Sequence, residues 1–238
     1  MRLKELKISD FQENQKYDFL FPIGATEQHG PFLPFGTDTY ITDYLVTKIA
    51  DEFPELIILP TLELSRSQEH RGFYGTLYLS EETLTAVLKD VCNSLKDKAR
   101  NIFITSFHAN DPYIKKFINE NTFSGINIIH LKISNTKDDE YISEKILQGQ
   151  LDDHAGNSEI SNMLVIKEQL VEIPSSDYPK TKVNNPFETD NLREKSPNGI
   201  ADNHRKWLTN KDIGKRILDI YVARMIEGLE KYIQNKSS

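Results

Sequence analysis

Several features are scarce in this sequence of 238 residues, and each scarcity argues against a class of protein. Cys92 is the only cysteine, which excludes an internal disulfide framework and a thiolate metal cluster. No apolar run approaches the roughly 20 residues of a membrane-spanning helix. The formal charge of −7, without basic clusters, argues against nucleic acid as a partner. Residues 1–5 lack the apolar core of a signal peptide, so we expect a soluble cytoplasmic protein.

Short apolar runs alternate with amphipathic segments along the chain, which is the pattern of an α/β fold. Strands are predicted at 18–23, 56–60, 101–106 and 126–133, and helices at 39–53, 81–95, 140–147 and 211–234, with further helices beginning at 111 and 157. No Ser/Gly/Pro-rich linker, internal repeat or low-complexity segment divides the sequence. We therefore expect a single α/β domain over residues 1–238.

The stretch at 21–38, FPIGATEQHGPFLPFGTD, collects ionisable side chains in a Gly/Pro-rich loop directly after an apolar run. In an extended segment, Glu27 and His29 would project to the same side, with Cα atoms about 6.5 Å apart. Two metal ions about 3.5–4 Å apart need such neighbouring donors and a bridging carboxylate, for which Asp38 is the candidate. Single loop histidines and glutamates are mostly solvated, but the rigid glycines and prolines favour a metal site here.

Two further histidines lie next to predicted elements of the fold. His108 follows the predicted strand 101–106, and open α/β sheets bind ligands at the carboxyl ends of their strands. His154 precedes the helix that begins at 157, and Glu159 lies in the first turn of that helix, where it would also complement the helix dipole. The combined donors are nitrogen and oxygen atoms without sulfur, which fits Zn²⁺, Mn²⁺ or Fe²⁺ and does not choose among them.

The loop at 21–38 resembles the signature of the creatininase family, which comprises creatinine amidohydrolase and its relatives. That signature places Glu-Gln-His-Gly-Pro before Leu-Pro-x-Gly-Thr-Asp, and the two motifs fall here at 27–31 and 33–38. A His-x-x-Phe-x-Gly-Thr segment at 70–76 and a His-Ala-Gly segment at 154–156 extend the resemblance. It implies a three-layer α/β/α fold with a mostly parallel central sheet, two divalent metal ions and a compact homo-oligomer.

The resemblance also implies which residues bind the ions. Glu27, Asp38 and His108 would hold one ion, while His29 and the bridging Asp38 would hold the other. Creatinine-cleaving members carry an acidic ligand two residues after the histidine that matches His108, and that position is Asn110 here. Glu159 is therefore the alternative residue that could complete the second set.

The chemistry implied is hydrolysis of an amide-type, non-peptide C–N bond in a small molecule by a water that two ions activate. The catalytic candidates are His154 and Glu159, and His154 would protonate the leaving nitrogen or stabilise the oxyanion. Residues 106–111 depart from the usual Asn-Gly-His-Gly-Gly-Asn, and Asn157 replaces a family glutamate, which leaves the substrate open. The alternatives are a non-catalytic metal-binding relative and a peptidase that acts on a modified peptide.

The remaining features carry weaker expectations. Composition predicts His70 as a surface residue, with a substrate contact as the alternative, and His130 as a structural residue within a strand. Cys92 is predicted as a packed thiol on a helix. Residues 174–198 form a long predicted loop that covers a site or makes a subunit contact. Trp207 is predicted either at the rim of the site or in the core.

Overall fold

A parallel sheet of four strands forms the centre of the protein, for which a computed structural model describes residues 1–150, 152–178, 191–202 and 206–233. The strands are β1 (Tyr17–Ile23), β2 (Ile57–Ile58), β3 (Ala99–Ser106) and β4 (Asn127–His130). Their order across the sheet is β2-β1-β3-β4, and every neighbouring pair is parallel. The carboxyl ends of β1 and β3 therefore lie side by side, with Ile23 opposite Ser106.

Helices follow the strands in alternation and cover both faces of the sheet. They are α1 (Thr37–Glu52), α2 (Glu81–Leu95), α3 (Asp111–Glu120), α4 (Thr136–Tyr141), α5 (Asn157–Ile166), α6 (Leu192–Lys195) and α7 (Lys211–Ile233). A π-helical turn, Ile142–Ile146, continues α4, and short 3-10 turns occur at Leu3–Glu5, Ile8–Asp10, Gln68–His70 and Glu168–Leu170. A second, antiparallel sheet pairs β5 (Asp152–His154) with β6 (Ala201–Asp202).

The strand side chains point alternately into two apolar cores on opposite faces of the sheet. From β1, Leu20 enters the core that includes α1, α5 and α7, whereas Phe19 and Phe21 enter the core that includes α2 and α3. β3 repeats this alternation, with Phe103 in the first core and Ile102 in the second. Burial of both faces explains why these strands appear in the sequence as continuous apolar runs. The expected three-layer α/β/α fold with a parallel sheet is confirmed.

Helix α1 begins two residues before its predicted start at 39. The N–H and the hydroxyl of Thr37 both donate to the C=O of Pro34, at 3.2 and 2.7 Å, so a turn has already formed at this point. Asp38 therefore lies in the first turn of α1 and not in the preceding loop. This placement fixes the carboxylate on a regular element, which limits where it can point.

Other element boundaries differ from the predictions because apolar residues outside the hydrogen-bonded ladder also enter the cores. β2 contains two residues and β4 ends at His130, yet Leu59 and Leu131 beyond these strands are buried. β5 lies before the helix at 157, where no strand was predicted. α3 begins at Asp111, as predicted.

No helix within the described ranges has the length and apolar character needed to span a bilayer. The single domain over residues 1–238 stays a prediction, since the structure describes only part of the chain. Much of the predicted loop at 174–198 lies outside the described residues, because positions 179–190 are not among them.

The crossing of α5 and α7 depends on Gly214, and its substitution should show this. A Cβ at Gly214 would lie 2.0 Å from the backbone oxygen of Ser161, so we expect Gly214→Ala to lower the free energy of unfolding by about 2 kcal/mol despite the better helix propensity of alanine. Gly228→Ala on the same helix is the matched control, because its Cβ would meet only the flexible tip of Leu131. Urea denaturation of both variants measures the difference, and equal stabilities would contradict the packing argument.

Candidate metal centre

The loop between β1 and α1 is held in a fixed shape by close backbone contacts. A Cβ at Gly24 would lie 2.3 Å from Thr39 Oγ1, so glycine is required for α1 to pack against the end of the strand. Gly30 has a φ of +61°, a left-handed conformation that favours glycine. The Glu27 N–H donates to the C=O of Phe35 at 3.0 Å, which closes the loop on itself. The polar side chains of this loop are therefore presented by a constrained backbone.

The first donor group consists of Glu27, Asp38 and His108, all of which are buried. Nδ1 of His108 lies 3.2 Å from Oε2 of Glu27 and 3.4 Å from Oδ2 of Asp38. The other ring nitrogen, Nε2, lies 3.0 Å from the C=O of Arg66, to which it can donate its proton. In that tautomer the lone pair of Nδ1 faces the two carboxylates, which is the arrangement of a histidine ligand oriented by a backbone carbonyl.

The second donor group consists of His29, Asp38 and Glu159. Nε2 of His29 lies 3.5 Å from Oδ1 of Asp38 and 3.7 Å from Oε2 of Glu159. Nδ1 of His29 lies 3.1 Å from the C=O of Glu27, so its proton can be held there and Nε2 left as the free donor. The two oxygens of Asp38 thus face different groups, as a bridging carboxylate requires.

The donor atoms fit divalent cations. Within each group the ligand atoms all lie within 4.8 Å of one another. Oε2 of Glu27, Nε2 of His29 and Oδ2 of Asp38 are buried and have no hydrogen-bond partner. A buried polar atom left unsatisfied costs about 1–3 kcal/mol, so several such atoms facing common points need an explanation. Carboxylate and imidazole donors without sulfur match Zn²⁺, Mn²⁺ or Fe²⁺.

His154 lies beside both groups and is fixed by the backbone. Its Nε2 lies 2.8 Å from the C=O of Gln28, and its Nδ1 lies 3.8 Å from Oε1 of Glu27. The ring contacts that of His29 with centroids 4.4 Å apart. Glu27, His29 and His154 also form a third set of converging donors, which shares two members with the groups above.

Glu159 is held in place by the turn that precedes α5. Ala155 has a φ of +56°, which is unusual for a residue other than glycine, and its N–H donates to Oε2 of Glu159 at 2.7 Å. Strained backbone is typical of functional sites, and here it aims a peptide N–H at a carboxylate in a candidate ligand set.

Opposing effects set the protonation of the buried cluster. Burial lowers the pKa of His29, but the carboxylates of Asp38, Glu159 and Glu27 outweigh it and raise that pKa to about 10. The pKa of His108 is likewise raised well above its usual value by Glu27 and Asp38 against the effect of burial. Burial, followed by the neighbouring histidines, holds the pKa of His154 well below its usual range, so this ring is neutral.

His70 is buried with 1% of its surface exposed, so the prediction of a surface residue was wrong. Its Nε2 lies 3.3 Å from Oε1 of Glu27, and its Nδ1 lies 2.9 Å from the side-chain nitrogen of Gln28. Gln28 and the buried Glu69, whose Oε1 lies 3.9 Å from Nε2 of His108, were not identified from the sequence. The family-like segment at 70–76 was the available signal for this layer of residues.

Other residues singled out from the sequence lie outside the donor groups. The Asn110 amide donates to Oγ of Ser106 at 3.0 Å, so this residue stays out of both sets. Nε2 of His130 lies 2.9 Å from Asp111, away from the centre. Cys92 is buried in the core beneath α2, and burial raises its pKa to about 12, as a packed thiol requires. Trp207 packs against the edge of the other core.

A cavity of about 200 Å³ opens onto the donor groups. Its wall outside the donor residues is formed by Phe107, Ile133 and Tyr221 together with the hydroxyl-bearing Ser134 and Ser158. Within the described part of the lining there is no lysine or arginine. The cavity therefore combines an apolar wall and two hydroxyls with a strongly acidic floor.

Sequence comparisons relate this chain to known hydrolases. The creatininase family model, described as creatinine amidohydrolase, matches residues 4–229. Creatinine amidohydrolase of Pseudomonas putida is 24% identical over 236 residues, which cover 89% of this chain and 88% of that protein. The mycofactocin precursor peptide peptidase of Mycobacterium tuberculosis is 33% identical over 98 residues, or 37% of this chain. The matched segment spans 39% of the length of that peptidase.

Solved structures share the fold over nearly the whole chain. A manganese creatininase superposes with a TM-score of 0.75 at 20% identity, covering 97% of both chains. A creatininase variant of zinc–zinc type gives a TM-score of 0.74 at 20% identity with the same coverage. A putative creatinine amidohydrolase from Bacteroides fragilis gives a TM-score of 0.70 at 21% identity, covering 97% of this chain and 95% of the other.

Metal binding should release protons from this cluster. His29 and His108 have raised pKa values and carry protons at about pH 7.5, whereas a ligand nitrogen must be deprotonated. We expect zinc added to metal-free protein to release about two protons per chain, and the apparent affinity to increase with pH toward the pKa of His29. An indicator dye in weak buffer measures the release, with His130→Gln as the control. Stoichiometric zinc uptake without proton release would contradict the raised pKa values of His29 and His108.

Proposed function

The chain belongs to the creatininase family, and we propose that it is a metal-dependent hydrolase that cleaves an amide-type, non-peptide C–N bond in a small molecule. The observation that carries this proposal is the position of Asp38. Its two buried oxygens face two separate sets of donors, one completed by His108 and the other by His29. Such a bridge is the defining feature of a dinuclear hydrolytic site.

Two divalent ions are the proposed cofactors. Glu27, Asp38 and His108 would hold the first, and His29, Asp38 and Glu159 the second. When bound, the pair supplies a water acidic enough to attack at neutral pH and polarises the carbonyl of the substrate. Structural relatives that contain manganese or zinc support this pairing of ions, with Zn²⁺, Mn²⁺ and Fe²⁺ all compatible with the donors.

Glu159 takes the place in this proposal that an acidic residue at position 110 would fill. The side chain of Asn110 is directed to Ser106, whereas Oε2 of Glu159 lies 3.7 Å from Nε2 of His29. The carboxylate thus comes from the start of α5 and not from the loop after β3. This exchange supports an intact second set of donors.

His154 is the proposed proton carrier. Its Nε2–H donates to the C=O of Gln28, which leaves the lone pair of Nδ1 free in the neutral ring. A bare nitrogen cannot donate a hydrogen bond to an oxyanion, but it can accept a proton from the attacking water and pass it to the leaving nitrogen. Of the two roles expected from the sequence, this tautomer favours proton transfer. Oε1 of Glu27, at 3.8 Å, would stabilise the transient imidazolium.

The cavity supports a small, uncharged substrate. Its volume of about 200 Å³ is below the range typical of drug-sized ligands. Phe107 and Tyr221 provide an apolar wall, and the described lining residues include no lysine or arginine that would pair with a carboxylate or phosphate. Ser134 and Ser158 offer hydroxyls for hydrogen bonds with a neutral amide.

Two other functions remain as alternatives. The local similarity to the mycofactocin precursor peptide peptidase favours a peptidase that acts on a modified peptide, of which only the reacting end would enter the cavity. A non-catalytic relative that keeps only metal and fold is opposed by the complete donor sets. A cytoplasmic location stays a prediction from the sequence.

We further propose that the protein is a homo-oligomer. Phe35, Tyr74, Leu77 and Tyr78 are exposed aromatic or aliphatic residues, and Phe35 packs directly on Gly75 between them. Tyr74 is 91% exposed, which is unusual for so large an aromatic side chain. Exposed apolar patches of this kind are typical of protein interfaces.

The metal content of two variants tests the bridging role of Asp38. Asp38→Ala should lose both ions, because it removes a donor from each group, whereas Glu159→Gln should lose one. Elemental analysis after anaerobic purification measures the ratio of metal to protein. Asp51→Ala on the exposed face of α1 is the matched control and should keep both ions. Loss of a single ion from Asp38→Ala would show that the carboxylate does not bridge.

A substrate screen with a His154 variant tests the reaction. We expect the metal-loaded protein to hydrolyse at least one compound among small amides, formamides, lactams and a modified peptide. For that compound, His154→Gln should lower kcat by about 10²- to 10⁴-fold while metal content stays unchanged, since general acid–base catalysis contributes that much. His130→Gln is the control. No turnover by the metal-loaded protein would favour the non-catalytic alternative, and an unaltered kcat in His154→Gln would exclude the proton-carrier role.

Sedimentation velocity tests the assembly. Leu77→Lys should give a smaller particle than the unmodified chain, because a lysine charge would be buried in the interface. Ile8→Lys introduces the same charge at another exposed position and should leave the sedimentation coefficient unchanged. A monomeric unmodified chain would end the oligomer proposal.

A further inference from the structure

We infer that His70 is a positioning residue that holds one oxygen of Glu27 so that only the other oxygen is presented to the first ion. This inference rests on the proposed dinuclear centre. Nε2 of His70 lies 3.3 Å from Oε1 of Glu27, whereas His108 contacts the other oxygen, Oε2. Oε2, 3.2 Å from Nδ1 of His108, is the oxygen without a hydrogen-bond partner.

The tautomer of His70 follows from Gln28. The side-chain nitrogen of Gln28 lies 2.9 Å from Nδ1 of His70, and an amide nitrogen can only donate. Nδ1 is therefore the acceptor, and the proton of the neutral ring lies on Nε2. That nitrogen is buried and has no hydrogen-bond partner among the described residues, and Oε1 of Glu27, 3.3 Å away, is the acceptor that its N–H faces.

The side-chain amide of Gln28 cannot exchange the positions of its oxygen and nitrogen without losing hydrogen bonds. Its side-chain oxygen accepts the Gly30 N–H at 3.0 Å, and its side-chain nitrogen also donates to the C=O of Gly199 at 3.0 Å. Its own backbone N–H donates to Oγ1 of Thr76 at 3.0 Å. A Cβ at Gly199 would lie 1.8 Å from the side-chain oxygen of Gln28, so the amide packs directly against the Gly199 backbone.

The His70 ring is fixed in position, as the Gln28 side chain is. It packs on the ring of His154 with centroids 4.4 Å apart, and it is not among the residues that line the cavity. A substrate contact, the alternative expected from the sequence, is therefore replaced by a contact with a metal ligand. A fixed chain of polar contacts runs from the Gly199 carbonyl through Gln28 and His70 to Glu27.

We therefore expect Glu27 to offer Oε2 alone to the first ion. With Oε1 facing Nε2 of His70 at 3.3 Å, a rotation of the carboxylate that placed both oxygens on one ion, or turned Oε2 away from His108, would lose this contact. Groups that orient a metal ligand in this way typically change metal affinity by about 10- to 100-fold when they are removed. The expected effect of losing the His70 N–H is therefore on the first ion and not on the fold.

Two substitutions separate the contact with Glu27 from the contact with Gln28. His70→Asn places its amide near Nδ1, where it can meet Gln28 but cannot reach Glu27. His70→Gln places its amide near Nε2, where an N–H can still face Oε1. His130→Gln serves as the control for histidine loss at a position outside the donor groups.

The measurements are zinc affinity by competition with a chelator and the visible absorption spectrum of the cobalt-substituted protein, which reports the geometry of the ligands. We expect His70→Asn to weaken one of the two zinc sites by about 10- to 100-fold and to alter the cobalt spectrum. His70→Gln should stay within about threefold of the unmodified protein and keep its spectrum. Both variants should melt cooperatively in the metal-free form.

The outcomes distinguish this inference from the function on which it rests. If the unmodified chain binds two ions and His70→Asn matches it in affinity and spectrum, the positioning role is overturned and the proposed centre stands. An equal loss of zinc affinity in His70→Asn and His70→Gln would show that only the packing of the His70 ring matters. That result would also overturn the positioning role. An unmodified chain that binds fewer than two ions would end the dinuclear proposal and this inference together.

Discussion

The burial of three carboxylates around one point is the constraint on which the rest of this structure depends. Glu27, Asp38 and Glu159 are each less than a tenth exposed, and several of their oxygens face one another across histidine nitrogens. Desolvated like charges repel strongly, and without bound metal the protonated His29 and His108 offset part of that repulsion. Cations at the two donor groups would replace these protons, so the arrangement has its lowest cost when it is metal-bound.

The parallel sheet is what allows so many donors to meet. β1 and β3 end side by side, so the loop with Glu27 and His29 emerges next to His108. Asp38 then approaches on the first turn of α1, where its carboxylate also complements the helix dipole. Glu159 occupies the equivalent position in α5, which packs against both α1 and α7. The two helix starts provide rigid supports, while the loops provide the curvature that brings the side chains together.

Local pattern predicted the parts of the site that lie on single elements. Apolar runs located β1 and β3, and the two-residue spacing of Glu27 and His29 gave their common direction. The sequence could not predict the burial of His70, because residues distant in the chain cover the 3-10 turn at Gln68–His70. Gln28 contacts the His70 ring, and Arg193 donates to the C=O of Gly72, two residues after the turn. The composition of a loop does not show which distant residues will pack over it, so it does not predict the burial of the loop. The same limit hid Gln28, whose partners lie up to 171 positions away in the chain.

In the proposed ligand sets, Glu159 would supply the carboxylate that Asn110 lacks. An acidic ligand at position 110 would tie the loop after β3 to the second ion, whereas Asn110 donates to Ser106 and precedes α3. With the second carboxylate supplied by Glu159, His108 would be the donor on the loop after β3, and its neighbours Phe107 and Ala109 line the cavity without serving as ligands. Their side chains can therefore differ between relatives without loss of a donor. In the proposed arrangement the second ion would take its carboxylates from α1 and α5, and Phe107 and Ala109 would be free to shape the part of the cavity that receives the substrate.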